Sequence, residues 1–172
     1  MEVMLKPGNF PGIYLVAPFK TKMKVITAPN HYRSDQEISL FLGGGITNCP
    51  NWQNDIIESL SDADYVLYNP RRENFDISNP EESDIQIEWE YQYLSYSTAI
   101  MFWFPEETLC PITLYELGKY TSTCRYVFVG CHPNYARKFD VVKQLSLSRP
   151  DINVVFSLDD LANQIKNFFA DF

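Results

Sequence analysis

Apolar residues in this chain fall into two kinds of block, and the two kinds alternate. The first kind is continuous. Ile38 to Leu42, Tyr65 to Tyr68, Ile100 to Phe104, Tyr126 to Val129 and Val154 to Phe156 are short, mainly apolar runs. Most end in turn formers: Gly43-Gly44-Gly45, Asn69-Pro70, Pro105 and Gly130. Such runs predict strands buried on both faces. The second kind is spaced. Trp52, Ile56, Ile57 and Leu60 mark one amphipathic helix, and Ile85, Trp89 and Tyr93 recur every four residues on the core side of another. Leu114, Leu117 and Tyr120 follow in a helix opening at Thr113. Phe139, Val142 and Leu145 share a helical face. Leu161, Ile165 and Phe168 belong to a terminal helix capped from Ser157 or Asp159. Lys24 to Thr27 is a candidate edge strand before Pro29.

Strands alternating with helices imply βα units and a parallel sheet. The expected fold is a single α/β domain over residues 38–172. Its sheet is parallel and Rossmann-like (flavodoxin-like), with helices on both faces. Residues 1–37 form an extension, irregular over 1–22, where Pro7, Gly8, Pro11, Gly12 and Pro18 break any regular element. No internal repeat or second domain is visible.

Composition narrows the function. A chain of 172 residues with 45% hydrophobic content can bury a proper core. A net charge of −8 argues against nucleic-acid polymers, whose binders carry a basic face. It leaves room for a small anion held by a local arginine pair. No apolar run approaches the ~20 residues of a membrane span. The start of the chain lacks the charged-then-apolar pattern of a signal peptide. Cys49, Cys110, Cys124 and Cys131 show no C-x-x-C spacing, so neither a zinc site nor a dithiol redox motif is expected. Reduced thiols and a cytoplasmic location follow as expectations.

Four features carry candidate chemistry. Glu116 lies eleven residues beyond Pro105, in the first turn of the helix that follows the Ile100–Phe104 strand. That places a carboxylate at the carboxyl edge of a parallel sheet, where ligands bind. A shielded carboxylate there is a candidate nucleophile. The plainer reading is an anion favoured by the helix dipole. Gly43, Gly44 and Gly45 end another strand, either as a tight turn or as backbone that approaches a ligand. The sequence there is neither G-x-G-x-x-G nor a P-loop. Arg71 and Arg72, after Asn69-Pro70, suit a phosphate or carboxylate clamp, or equally surface ion pairs with Glu73 or Asp76. Gln86, Trp89 and Glu90 share one helical region and suit the edge and face of a nucleobase, although Trp89 more commonly serves as core. His31 and His132 lack partners at catalytic or metal spacing and read as loop residues.

Leu40-Phe41-Leu42-Gly43-Gly44-Gly45, Asn69-Pro70-Arg71-Arg72, Gln86-x-x-Trp89-Glu90, Phe102-Trp103-Phe104 and Tyr115-Glu116-Leu117-Gly118 occur in that order. Together they resemble the nucleoside 2-deoxyribosyltransferase-like proteins over about residues 38–160. The resemblance implies that Glu116, in the Glu-Leu-Gly motif, is the nucleophile, and that the glycine turn is the sugar-side loop. Glu90 lies close to a second acidic position of that family. Two positions depart from its best-studied branch: Phe41 stands where tyrosine is usual, and Cys110 where aspartate is usual.

The resemblance and the residues suggest the same reaction. A carboxylate below a sugar can trap the cation formed when an N-glycosidic bond breaks, and Glu90 can supply a proton to the departing base. The expected activity is deoxyribosyl transfer between a nucleoside and a free nucleobase, with no metal or cofactor. Two rivals stand beside it. One is a hydrolase of deoxynucleoside 5′-monophosphates, favoured by Arg71 and Arg72. The other is a nucleotide-binding sensor without turnover, favoured by Phe41 and Cys110. The expected assembly is a homo-oligomer. The family forms oligomers, and the terminal helix should leave at least one of Phe168, Phe169 and Phe172 exposed.

Overall fold

The computed structural model describes residues 23–123 and 126–170. The irregular reading of residues 1–22, Cys124 and Phe172 lie outside the described residues. Five parallel strands make one sheet: β1 (Lys24–Thr27), β2 (Ile38–Gly44), β3 (Tyr65–Asn69), β4 (Ala99–Phe104) and β5 (Tyr126–Cys131). Their order is β1-β3-β2-β4-β5. Five helices complete the described chain: α1 (Trp52–Ser59), α2 (Pro80–Tyr96), α3 (Pro111–Thr121), α4 (Lys138–Ser148) and α5 (Leu158–Phe169). This is a flavodoxin-like α/β fold.

Strand alternation sorts the side chains into two layers. Phe41, Tyr68, Phe102 and Phe104 pack with Trp89 and Tyr93 of α2, Leu117 and Tyr120 of α3, and Leu145 of α4. Leu40, Leu42, Leu67, Met101 and Trp103 pack on the other face with Trp52 and Ile56 of α1 and Leu161 and Ile165 of α5. All six residues of β4 are buried, which is why its sequence is continuously apolar. From β2 the chain steps through α1 to β3. It then returns through α2, across β2, to β4 and onward to β5. The direction reverses between β2 and β4, so the topological switch point lies there.

Several local expectations need correction. Ile85 is 50% exposed and does not face the core. The buried stripe of α2 is Gln86, Trp89, Tyr93 and Leu94, at i, i+3, i+7 and i+8. Phe139 is 78% exposed, because Val141 and Leu145 set the inner face of α4 and a residue two places away points to the opposite side. Helix α3 starts at Pro111, not Thr113. Strand β5 runs through Gly130 to Cys131. Residues 154–156 are not a strand: a single parallel bridge joins Val155 to Gly130. In α5 the Ser157 hydroxyl, not Asp159, caps the helix by accepting the Asp160 N–H at 3.1 Å. Phe169 is buried, whereas Phe168 sits at the rim against Tyr126 and Phe128.

Candidate active site

The glycine turn closes the switch point by bringing backbones together. A Cβ on Gly43 would lie 2.8 Å from the Phe102 ring. One on Gly44 would lie 2.4 Å from the Trp103 carbonyl oxygen, and one on Gly45 would lie 2.7 Å from Cys110 Sγ. No side chain larger than hydrogen fits at these distances. The Trp52 indole N–H donates to the Gly45 carbonyl at 2.7 Å and pins the turn to α1. Across the gap, Cys110 precedes α3 in the left-handed conformation, with φ 49° and ψ 52° and no side-chain cap. Burial pushes its thiol up to about 12, so it stays protonated near neutral pH.

Glu116 is the sixth residue of α3, in the second turn rather than the first. The helix dipole acts mainly on the first turn and would favour ionisation. The opposite is found. The Glu116 carboxyl is raised to about 8, first by burial and then by the charge of Glu90, while Lys119 one turn on pulls it down. Among the described residues no hydrogen bond or ion pair reaches this carboxyl. Glu90 is also raised by burial, opposed by a hydrogen bond from Gln86. Two half-buried carboxyls, one from α2 and one from α3, therefore interact at the strand ends. Such a pair resists losing its last proton, because the second charge would face the first at low dielectric.

The other expected residues stand around this pair in distinct ways. Gln86 is 7% exposed, and its amide nitrogen donates to the Pro70 carbonyl and to Glu90 Oε1, both at 2.8 Å. Trp89 is fully buried, tilted against Phe41 at a centroid distance of 6.1 Å, and donates to the Asn30 carbonyl at 2.7 Å. Phe41 is equally buried. Asn69 ends β3 and accepts the Arg71 N–H at 3.0 Å. The Arg71 guanidinium donates to the carbonyls of Ile46, Cys49 and Pro50 at 2.9–3.3 Å, tying the loop after the glycine turn to the end of β3. Arg72 pairs with Glu82 at 3.0 Å and lies over the Phe75 ring. Lys119, between the Tyr91 and Tyr120 rings at 4.3 and 4.8 Å, is the site residue that sequence reasoning missed. Its spacing of three from Glu116 was the available signal. His31 and His132 lie in loops, beside Tyr93 and Glu106 respectively.

Open α/β sheets of this class take ligands at the carboxyl ends of their strands, and here α2 and α3 bring an acidic pair together. The family follows from the sequence match. The model of the nucleoside 2-deoxyribosyltransferase-like family matches residues 37–135, and the chain belongs to that family. This span holds the glycine turn, Asn69 to Arg72, Gln86 to Glu90 and Glu116. No curated protein matches the chain. Among the described residues no helix is long and apolar enough to cross a membrane.

Proposed function

We propose that the protein is a nucleoside 2-deoxyribosyltransferase of the cytoplasm that works through a deoxyribosyl ester on Glu116. The observation that carries this reading is the coupled pair of half-buried carboxyls, Glu116 and Glu90, at the switch point. Below about pH 8 the pair holds one proton on Glu116, and in the reactive form that proton has passed to Glu90, leaving Glu116 ionised. Glu116 attacks the anomeric carbon as the bond to the base breaks. The bonding electrons pass to the base nitrogen, which takes the proton from Glu90. An acceptor base then attacks the same carbon, Glu90 recovers a proton from it, and Glu116 leaves. A 2-deoxy sugar suits the site because the missing hydroxyl makes the sugar cation easier to form. The glycine turn supplies close-packed backbone beside the sugar.

The test is exchange. Each deoxynucleoside is incubated with each free base, and new nucleosides are sought. Rapid quenching should add the mass of a deoxyribosyl group to the peptide containing Glu116, with ping-pong kinetics. Sugar release only to water, with no dependence on acceptor, would replace transfer with hydrolysis. Binding without turnover would leave a sensor. The monophosphate reading needs free guanidinium donors: Arg71 is tied to loop carbonyls and Arg72 to Glu82, while Arg71 Nε and one terminal nitrogen of Arg72 have no partner among the described residues. If they act only as braces, Arg72→Ala will slow nucleoside and monophosphate equally.

The assembly we propose is a homo-oligomer. Ile87 and Tyr91 of α2 and Ile112 and Tyr115 of α3 are each at least 60% exposed, and Lys119 bridges the two helices at Tyr91. This apolar area lies beside Glu116 and is larger than what Phe168 leaves open. Light scattering at micromolar concentration should give a multiple of 20.0 kDa. A monomer with full activity would defeat the idea.

A further inference from the structure

Along α2, Glu82, Gln86 and Glu90 follow one another at every fourth residue. All three are engaged: Glu82 by Arg72, Gln86 by the Pro70 carbonyl, and Glu90 by Gln86. The middle member is the unusual one. Gln86 is more than nine-tenths buried, and its own side-chain oxygen has no partner, while both hydrogens of its nitrogen are spent. A carbonyl oxygen can only accept, so Pro70 selects the nitrogen end of the amide. Turning the amide over would set its oxygen against the Pro70 oxygen and against Glu90 Oε1. Gln86 is thus held as a one-way donor toward Glu90.

We propose that Gln86 is a positioning residue for the sugar-transfer step: it makes Glu90 Oε1 the accepting oxygen, so that Oε2 carries the proton delivered to the departing base. The inference rests on the transferase reading above. Gln86 acts through Glu90, since it is too buried to touch a nucleoside. The ionisable groups around Glu90 fit this arrangement. Glu116 interacts with it from α3, and Lys119 acts on Glu116. On the strand-end side, Arg72 and Glu82 neutralise one another. No cation is bonded to Glu90 among the described residues, so Gln86 alone orients it.

The experiment compares two substrates in the wild type, in Gln86→Met and in Glu90→Gln. Deoxyguanosine needs a proton on its leaving base. N7-methylated deoxyguanosine already carries the positive charge, and its base departs without one. Gln86→Met should lower kcat on deoxyguanosine about ten- to hundredfold and leave the methylated substrate within about twofold, with KM little changed. Adding Gln86→Met to Glu90→Gln should cost nothing further, because the residue it positions is already gone. The pH profile gives a second reading. Gln86 favours the ionised form of Glu90, so removing it should move the alkaline limb to higher pH. If Gln86→Met fails to fold, Gln86→Asn, whose amide falls one methylene short, should show the same leaving-group bias to a smaller degree. Equal slowing of both substrates in a folded variant, or additive losses in the double variant, would overturn the role of Gln86 alone. A wild type that turns over neither substrate would overturn the transferase reading and this proposal with it.

Discussion

The two layers that cover the sheet obey different rules. The α1 and α5 layer is conventional in α5, while α1 carries one exception, Gln53, fully buried with neither amide atom paired among the described residues. In α5, Leu161, Ala162, Ile165 and Phe169 keep one face buried, and its charged residues Asp159, Asp160 and Lys166 lie at its ends or in surface pairs. The α2 and α3 layer buries polar groups and exposes apolar ones. Gln86, Glu90 and Glu116 are turned inward, while Ile85, Ile87, Ile112 and Tyr115 are at least half exposed. Burial of a carboxyl without a cation costs stability, and exposed isoleucine gains none. A layer that departs from the stable pattern twice is where the proposed ligand site and partner surface are sought.

Removing Glu116 tests this contrast most strongly. Glu116→Ala should lower turnover by several orders of magnitude, the cost of losing a covalent nucleophile, and leave the melting temperature unchanged or higher. Full activity in the purified variant would end the role of the α3 carboxyl. The mirror experiment is Ile165→Ala in the opposite layer. It should destabilise the fold by about 2–5 kcal/mol in denaturant titration, yet spare kcat in the folded fraction. A direct loss of kcat would show that the layers are not separable.

Gly44→Ala strikes the sheet where it meets the α1 and α5 layer, since the new methyl meets the Trp103 carbonyl oxygen and the Trp52 ring. A loss of about 1–3 kcal/mol is expected, with weakened substrate binding from the displaced turn. An unchanged melting curve would mean that the turn has slack. The smallest effect is on pH. The Glu116 carboxyl is raised to about 8 in the folded protein, above its ordinary value, so the native state holds more protons than the unfolded chain between those values. The stabilising contribution is complete below the ordinary value and is lost as pH rises through about 8. Glu116→Gln should remove this slope and gain on the order of 2 kcal/mol at the alkaline end, after allowance for solvent screening. Equal slopes in wild type and variant would place the proton elsewhere. Turnover should be bell-shaped, with its alkaline limb near 8.

The sequence by itself determined the order of the five strands and five helices described, because continuous apolar runs and spaced apolar runs differ in period, though it added a strand at 154–156 where only one bridge forms. It also determined the family, through motifs spread from the glycine turn to Glu116. It placed Trp89 and Tyr93 on the inward face of α2 but took Ile85 for the first residue of that face instead of Gln86. Ile85 is the more apolar choice, but Gln86 is buried because the Pro70 carbonyl at the end of β3 needs a donor. A period of 3.6 residues leaves that rotation open by one position, and only a partner sixteen residues away fixes it. The arginines show the same limit. Arg71-Arg72 reads equally as an anion clamp or as surface ion pairs, and only the fold brings the carbonyls of Ile46, Cys49 and Pro50 within 3.3 Å of Arg71. Nor does the sequence couple Glu90 to Glu116, which are twenty-six positions apart. Their interaction exists because α2 and α3 lie side by side on one face of the sheet, where water is too scarce to screen two carboxylates.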